Sequence, residues 1–242
     1  MAHPPATELV PGIWRIPTVG RAQVNSYAFV DGDGSVTLVD CGLRSAPPRI
    51  VAGLAAMGKH PSDVARIVLT HAHPDHAGGA AELARQSGAP VAVHVDDVPY
   101  AVQGRAPRPD QSLRAGRFLA RLPGGGFPPV PVGEDLTDEQ VLDVGGGLRV
   151  VATPGHSPGH VSLLHEPTRL LVTGDAIFNV LRLAISPRPL CSDFRMTRRT
   201  AHRLGELDYD AVAFTHGPEI TEGGREVLRA FLARTVTART PE

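Results

Sequence analysis

The sequence is short of cysteine, with only Cys41 and Cys191 among its 242 residues. Two widely spaced thiols cannot build a disulfide framework, so an apolar core has to carry the fold. It is also short of lysine, Lys59 being the only one, and of aromatic residues, at 5%. Charge of one sign is lacking too: Lys plus Arg number 24 against 25 Asp plus Glu, for a formal net charge of -1. That balance lacks the clustered cationic excess of a nucleic-acid binder. No apolar run approaches the ~20 residues of a membrane-spanning helix. The opening Met1-Ala-His-Pro-Pro5 has neither the charged nor the apolar region of a secretory signal. These absences predict a cytoplasmic protein with no membrane and no nucleic-acid partner. Hydrophobic residues make up 42%, enough for a core, and the length fits one domain over residues 1–242.

Runs rich in Val, Ile, Leu and Thr read as strands: Ser26 to Val30, Val36 to Val39, Arg66 to Thr70, Val91 to Val95, Leu148 to Thr153, Ser162 to Leu164, Leu170 to Thr173 and Ala211 to Thr215. Asp31-Gly-Asp-Gly34 is a turn signal that makes the first two a hairpin. Helical spacing is expected over Pro47 to Met57, Asp75 to Ser87, Asp193 to Leu207 and Glu222 to Thr235. Strands alternating with helices indicate an α/β fold. The Pro-, Gly- and Arg-rich stretch from Gly104 to Glu134 reads as a surface excursion outside the regular core, with one short helix over Gln111 to Leu122.

The chemistry concentrates in His71-Ala-His73-Pro-Asp75-His76, three imidazoles and a carboxylate within six residues at a strand end. Imidazole nitrogen and carboxylate oxygen suit zinc and similar divalent ions. His71 and His73, two apart in extended chain, point the same way. Asp75 and His76 begin the next helix and face a second point. Asp75 has a blander alternative as a helix N-cap. Other strand-like runs end alike, at Asp40-Cys41-Gly42, Pro154-Gly155-His156, Gly174-Asp175 and His216-Gly217. In α/β sheets, binding sites gather beyond the carboxyl ends of strands.

These motifs resemble the metallo-β-lactamase fold superfamily. Thr153-Pro-Gly-His-Ser-Pro-Gly-His160 is similar to its glyoxalase II branch, as are the openings Val24-Asn-Ser-Tyr27 and Val39-Asp-Cys-Gly42. The resemblance implies a four-layer αββα sandwich, two mixed β-sheets with helices on the outer faces. It implies one metal on His71, His73 and His156, a second on Asp75, His76 and His216, and Asp175 between them. The expected cofactors are two divalent ions, zinc first, with iron or manganese as alternatives. The implied activity is a hydrolase whose metal-bound hydroxide attacks an ester, thioester or lactone-type carbonyl of a small molecule, with Asp75 as a proton shuttle. A mononuclear iron persulfide dioxygenase-like enzyme and a non-catalytic metal-binding module are the alternatives. The Ala176-Ile-Phe-Asn-Val180 run after Asp175 departs from glyoxalase II, as does the lack of a glutathione-gripping C-terminal domain. The oligomeric state is not legible.

Asp40 is expected to hydrogen-bond the metal-binding loops, and His160 to orient a ligand or serve the structure. Cys41 reads as a buried thiol. His3, His60, His94, His165 and His202 read as structural, and Trp14 and Tyr27 as core or sheet-edge residues. Arg105, Arg108, Arg114, Arg117 and Arg121 read as a solvated basic loop, contact with an anionic substrate being the alternative.

Overall fold

The computed structural model describes residues 4–112, 114–119, 121 and 126–237. The first half forms a seven-stranded sheet whose spatial order follows the chain. Its strands are β1 (Thr7–Val10), β2 (Ile13–Val19), β3 (Val24–Val30), β4 (Val36–Val39), β5 (Val64–Val68), β6 (Val91–His94) and β7 (Val132–Leu136). The first four run antiparallel in succession. From β4 to β7 the strands are parallel, because helices make the crossovers. These helices are α1 (Pro47–Ala56), α2 (Pro74–Ala77), α3 (Ala80–Ser87) and α4 (Val98–Gln103). A short α5 (Arg114–Leu119) lies on the surface.

The second sheet holds β8 (Val141–Leu142), β9 (Leu148–Ala152), β10 (Val161–His165) and β11 (Leu170–Val172). After a small hairpin of β12 (Ile177–Phe178) and β13 (Ala184–Ile185) come α6 (Phe194–Ala201), β14 (Ala211–Ala213) and α7 (Gly224–Thr237). The sheet order is β14-β11-β10-β9-β8, with β10 antiparallel to both neighbours and β14 parallel to β11. The carboxyl ends of β9, β11 and β14 therefore lie at one edge.

Alternation along the strands builds the layers. Tyr27, Phe29, Val39, Val68 and Ala92 face Val150, Leu163, Leu170 and Val172 in a core between the sheets. The intervening Ala28, Leu38, Ile67, Val91 and Val93 pack outward against Ile50 and Leu54 of α1 and Leu83 of α3. On the far side, Val151, Leu164, Leu171 and Val212 meet Leu228, Phe231 and Leu232 of α7. Strands covered on both faces need apolar residues at every position, which explains their unbroken runs. The fold is the expected αββα sandwich, with two mixed sheets and flanking helices.

Three local expectations are corrected. The helix expected over Asp75 to Ser87 is two helices, broken where Gly78 and Gly79 pass the loop after β4. A Cβ at Gly78 would lie 2.2 Å from Pro74 O, and one at Gly79 2.4 Å from Cys41 O. The helix expected over Asp193 to Leu207 stops at Ala201 and continues as a 3-10 turn. The excursion from Gly104 to Glu134 is not wholly outside the core, since Phe127 and Val130 are buried and β7 is a sheet strand. Residues 113, 120 and 122 of the expected helix, and His3, lie outside the described residues.

Candidate metal centre

The site grows from the carboxyl edge of both sheets, stitched by Val161 N–H to Thr70 O at 2.9 Å and Asn25 N–H to Thr215 O at 2.9 Å. The loop after β5 carries His71 and His73, and α2 carries Asp75 and His76. The loop after β9 carries His156, the turn after β11 carries Asp175, and the end of β14 leads to His216. Three overlapping clusters result, His71 with His73 and His156, His71 with His76 and Asp175, and Asp75 with His76 and His216. All seven residues expected at the site meet there. His60, His94, His165 and His202 belong to none of these clusters.

Hydrogen bonds decide which nitrogen each ring presents. Asp40, buried at the end of β4, is the hub. Its Oδ1 accepts Thr70 N–H at 2.8 Å, and its Oδ2 accepts the Thr70 hydroxyl at 2.8 Å and His76 Nδ1–H at 2.8 Å. Since the Thr70 hydroxyl gives its proton to Asp40, it accepts from His71 Nδ1–H at 3.0 Å. One carboxylate thus sets the tautomer of two imidazoles. Asp40 sits at φ 58°, a left-handed conformation that Asp tolerates better than most residues. Ser186 Oγ holds His156 Nδ1 at 2.8 Å and Gln23 O holds His216 Nδ1 at 2.9 Å. With their Nδ1 atoms engaged, His71, His76, His156 and His216 turn their Nε2 atoms inward.

The inward atoms crowd. His73 Nδ1 lies 3.0 Å from His71 Nε2 and 2.8 Å from His156 Nε2. Asp175 Oδ2 is 3.3 Å from both His156 Nε2 and His216 Nε2, while Oδ1 is 3.2 Å from His76 Nε2. Asp175 therefore touches both groups of imidazoles, steadied by the Thr215 hydroxyl donating to Oδ1 at 2.8 Å. Converging lone pairs and carboxylates in a buried site need a cation, so this donor set fits divalent metal.

The titration behaviour agrees. Burial, and the neighbouring His76, push His71 well below its ordinary value, and burial does the same to His156. Burial also works against a charge on His76, but Asp175, Asp75 and Asp40 outweigh it and raise its pKa. His216, likewise opposed by burial, is pushed up to about 9, chiefly by Asp175. Protons on these two rings stand where positive charge is wanted.

His160 is placed differently. Its Nε2 accepts Asp175 N–H at 2.7 Å and its Nδ1 meets Thr153 O at 3.1 Å. With both nitrogens engaged, it positions the backbone of Asp175. Burial lowers its pKa to about 4. Cys41 and Cys191 are buried and unbonded to each other, and burial raises both thiols. Tyr27 is buried, its hydroxyl donating to Phe214 O at 2.6 Å.

Sequence reasoning missed Asp97. Its carboxylate accepts Ala72 N–H at 2.8 Å, the Ser157 hydroxyl at 2.6 Å and Gly159 N–H at 2.7 Å. It clamps the loop of His71 and His73 to that of His156. The signal was present, since β6 is followed closely by Asp96-Asp97, as the other site strands are by a His or an Asp. Ser186 and Phe178 were missed as well, the latter ring stacked on His216 at 4.3 Å. No periodicity marks them.

The sequence profile of the metallo-beta-lactamase superfamily matches residues 19–216. The chain belongs to this superfamily. "Probable metallo-hydrolase YybB" of Bacillus subtilis is 29% identical over 217 residues, covering 88% of this chain and 89% of that protein. A hydroxyacylglutathione hydrolase of Acidiphilium cryptum is 32% identical over 115 residues, 47% of this chain and 35% of that protein. Among solved structures, a metallo-beta-lactamase family protein from Thermus thermophilus superposes with a TM-score of 0.71 at 25% identity, over 95% of this chain and 81% of that one. Rm3 metallo-beta-lactamase, at 23% identity and TM-score 0.72 over 96% of this chain and 93% of that one, shares the fold. The superfamily match spans every cluster residue from His71 to His216. No helix among the described residues is long and apolar enough to cross a membrane.

Proposed function

We propose that this chain is a metallo-hydrolase that holds two divalent ions, zinc in the first instance, and cleaves an ester, thioester or lactone-type carbonyl of a small molecule. One observation carries the reading. His71, His73 and His156 form one ligand cluster, Asp75, His76 and His216 form another, and Asp175 lies within reach of both. A purely structural zinc needs only four closed ligands, and a second cluster is superfluous for it. When bound, such ions lower the pKa of water to about 7 and polarise a carbonyl oxygen.

The residues of the chain supply the rest. Asp40 and Thr70 keep His71 and His76 in one tautomer, and Ser186 fixes the direction of the His156 ring. Asp75, its side chain 33% exposed, is the carboxylate nearest solvent and the group placed to pass a proton beside a substrate. The similarity to hydroxyacylglutathione hydrolase keeps thioesters among the substrates, and since it covers 35% of that protein, glutathione is not assumed.

The test is elemental mass spectrometry on protein purified without added metal or chelator, followed by ester, thioester and lactone panels. Two zinc equivalents with hydrolysis support the reading. One iron equivalent with oxygen uptake on a persulfide replaces it with an oxygenase. A folded protein that neither carries nor takes up metal ends it.

A further inference from the structure

A cavity lies behind the loop that carries His156. It has a volume of about 330 Å³, and Tyr100, Gln103, Arg105, Arg108, Pro158 and Ser192 line it. Pro158 follows His156 by two residues, and Ser192 N–H donates to His156 O at 3.0 Å. The cavity therefore shares a wall with the loop that presents a cluster imidazole.

Its charge is one-sided. No carboxylate lines it. Arg117 folds back to donate to Gln111 O at 3.0 Å, whereas Arg105 and Arg108 form no ion pair among the described residues. Two carbonyls of the last turn of α4, Tyr100 O and Ala101 O, are already occupied. Gly104 N–H and Val130 N–H donate to Ala101 O, and Arg105 N–H donates to Tyr100 O, each at 3.0 Å. The Ser192 hydroxyl is buried and has no hydrogen-bond partner.

The strap bearing the arginines is held at both ends. Arg105 bridges to Gly126 at the stem of the excursion, and Asp110 N–H donates to Cys191 O at 2.7 Å. Pro107 and Pro109 stiffen the chain between. A pinned backbone loses little freedom when a ligand binds.

We propose that this cavity is a subsite for an oxyanion, the phosphate or carboxylate arm of the small molecule hydrolysed at the adjacent centre. Guanidinium groups match such oxygens in charge and geometry. The assignment rests on the hydrolase reading for its substrate, while its anion binding stands on the cavity alone.

The experiment compares wild type with an Arg105→Ala/Arg108→Ala variant, both metal-loaded. Inorganic phosphate is titrated by calorimetry, and kinetics are run on a neutral aryl ester and on the same ester with a carboxylate on its acyl arm. Both arginine side chains are exposed, so the variant keeps its fold and its neutral-ester activity. The expected result is one phosphate equivalent fewer in the variant. KM for the anionic ester rises by about tenfold or more, with the neutral ester unchanged. A phosphate equivalent lost in the variant, with both esters hydrolysed by wild type but neither KM altered, assigns the site to a free anion and overturns the substrate arm. Identical phosphate titrations overturn the subsite altogether. If neither ester turns over, the hydrolase reading fails, and the phosphate titration still decides the cavity.

Discussion

The two ends of the metal centre use the same imidazole in opposite settings. His71, His73 and His156 form a cluster without a carboxylate of its own, and hydroxyls of Thr70 and Ser186 hold His71 and His156 from behind. Burial leads in pushing all three rings toward the neutral form. His76 and His216 meet Asp75 on the side nearer solvent, with Asp40 and Gln23 O behind them, and both pKa values are raised. The lesson is electrostatic: desolvation dominates where neutral donors surround a ring, and nearby carboxylates dominate where they do not. Asp175 joins the two ends.

The hardest way to break the comparison is His71→Ala, because His71 belongs to the three-imidazole cluster and also meets His76 and Asp175. Elemental analysis should find both metal equivalents lost and hydrolysis at background. Asp75→Asn should separate the ends. The expected outcome is one equivalent retained by the imidazole cluster, with turnover down about 10²–10⁴-fold, the usual worth of a positioned proton-transfer group, and KM little changed. Unaltered turnover at saturating metal would remove Asp75 from proton transfer.

Asp40→Asn acts on both ends at once, through Thr70 to His71 and directly to His76. Competition with a chelator should show metal affinity lowered by about 10–100-fold, as for other groups that orient ligands. Ser186→Ala should weaken only the imidazole cluster. A variant of Asp40 that weakened one end alone would contradict the shared hub.

The smallest effect is on pH dependence. His160 has a folded pKa of about 4 against 6.5 for an ordinary histidine, so protonation favours the unfolded chain. Its contribution is complete above about 6.5 and is lost as pH falls toward about 4, at most on the order of 3 kcal/mol. Urea unfolding of metal-free protein across that window should show falling stability, and His160→Gln should flatten the fall.

Local chemistry was legible because it is local. His71, His73, Asp75 and His76 sit within six residues, and the turn from strand to helix aims them. His156, Asp175 and His216 were legible by their placement after apolar runs. The hairpin of β1 and β2 was not read from the sequence. Pro17 interrupts the pattern of β2, and a proline lacks the N–H that a strand interior uses. The excursion misled for a related reason: its Pro and Gly residues mark turns but do not show that Phe127 and Val130 re-enter the core.

The sequence by itself determined the alternating apolar runs, hence two sheets covered on both faces, and the chemical types that gather at strand ends. Tertiary structure decided the rest. Asp97 clamps two loops that lie 25 and 62 positions from it on either side, Asp40 reaches His76 across 36 positions, and Ser186 reaches His156 from a separate hairpin. Such partners are chosen by distance and direction in the folded state, and a buried polar group takes whichever donor or acceptor the packing brings near. That choice leaves no period along the chain.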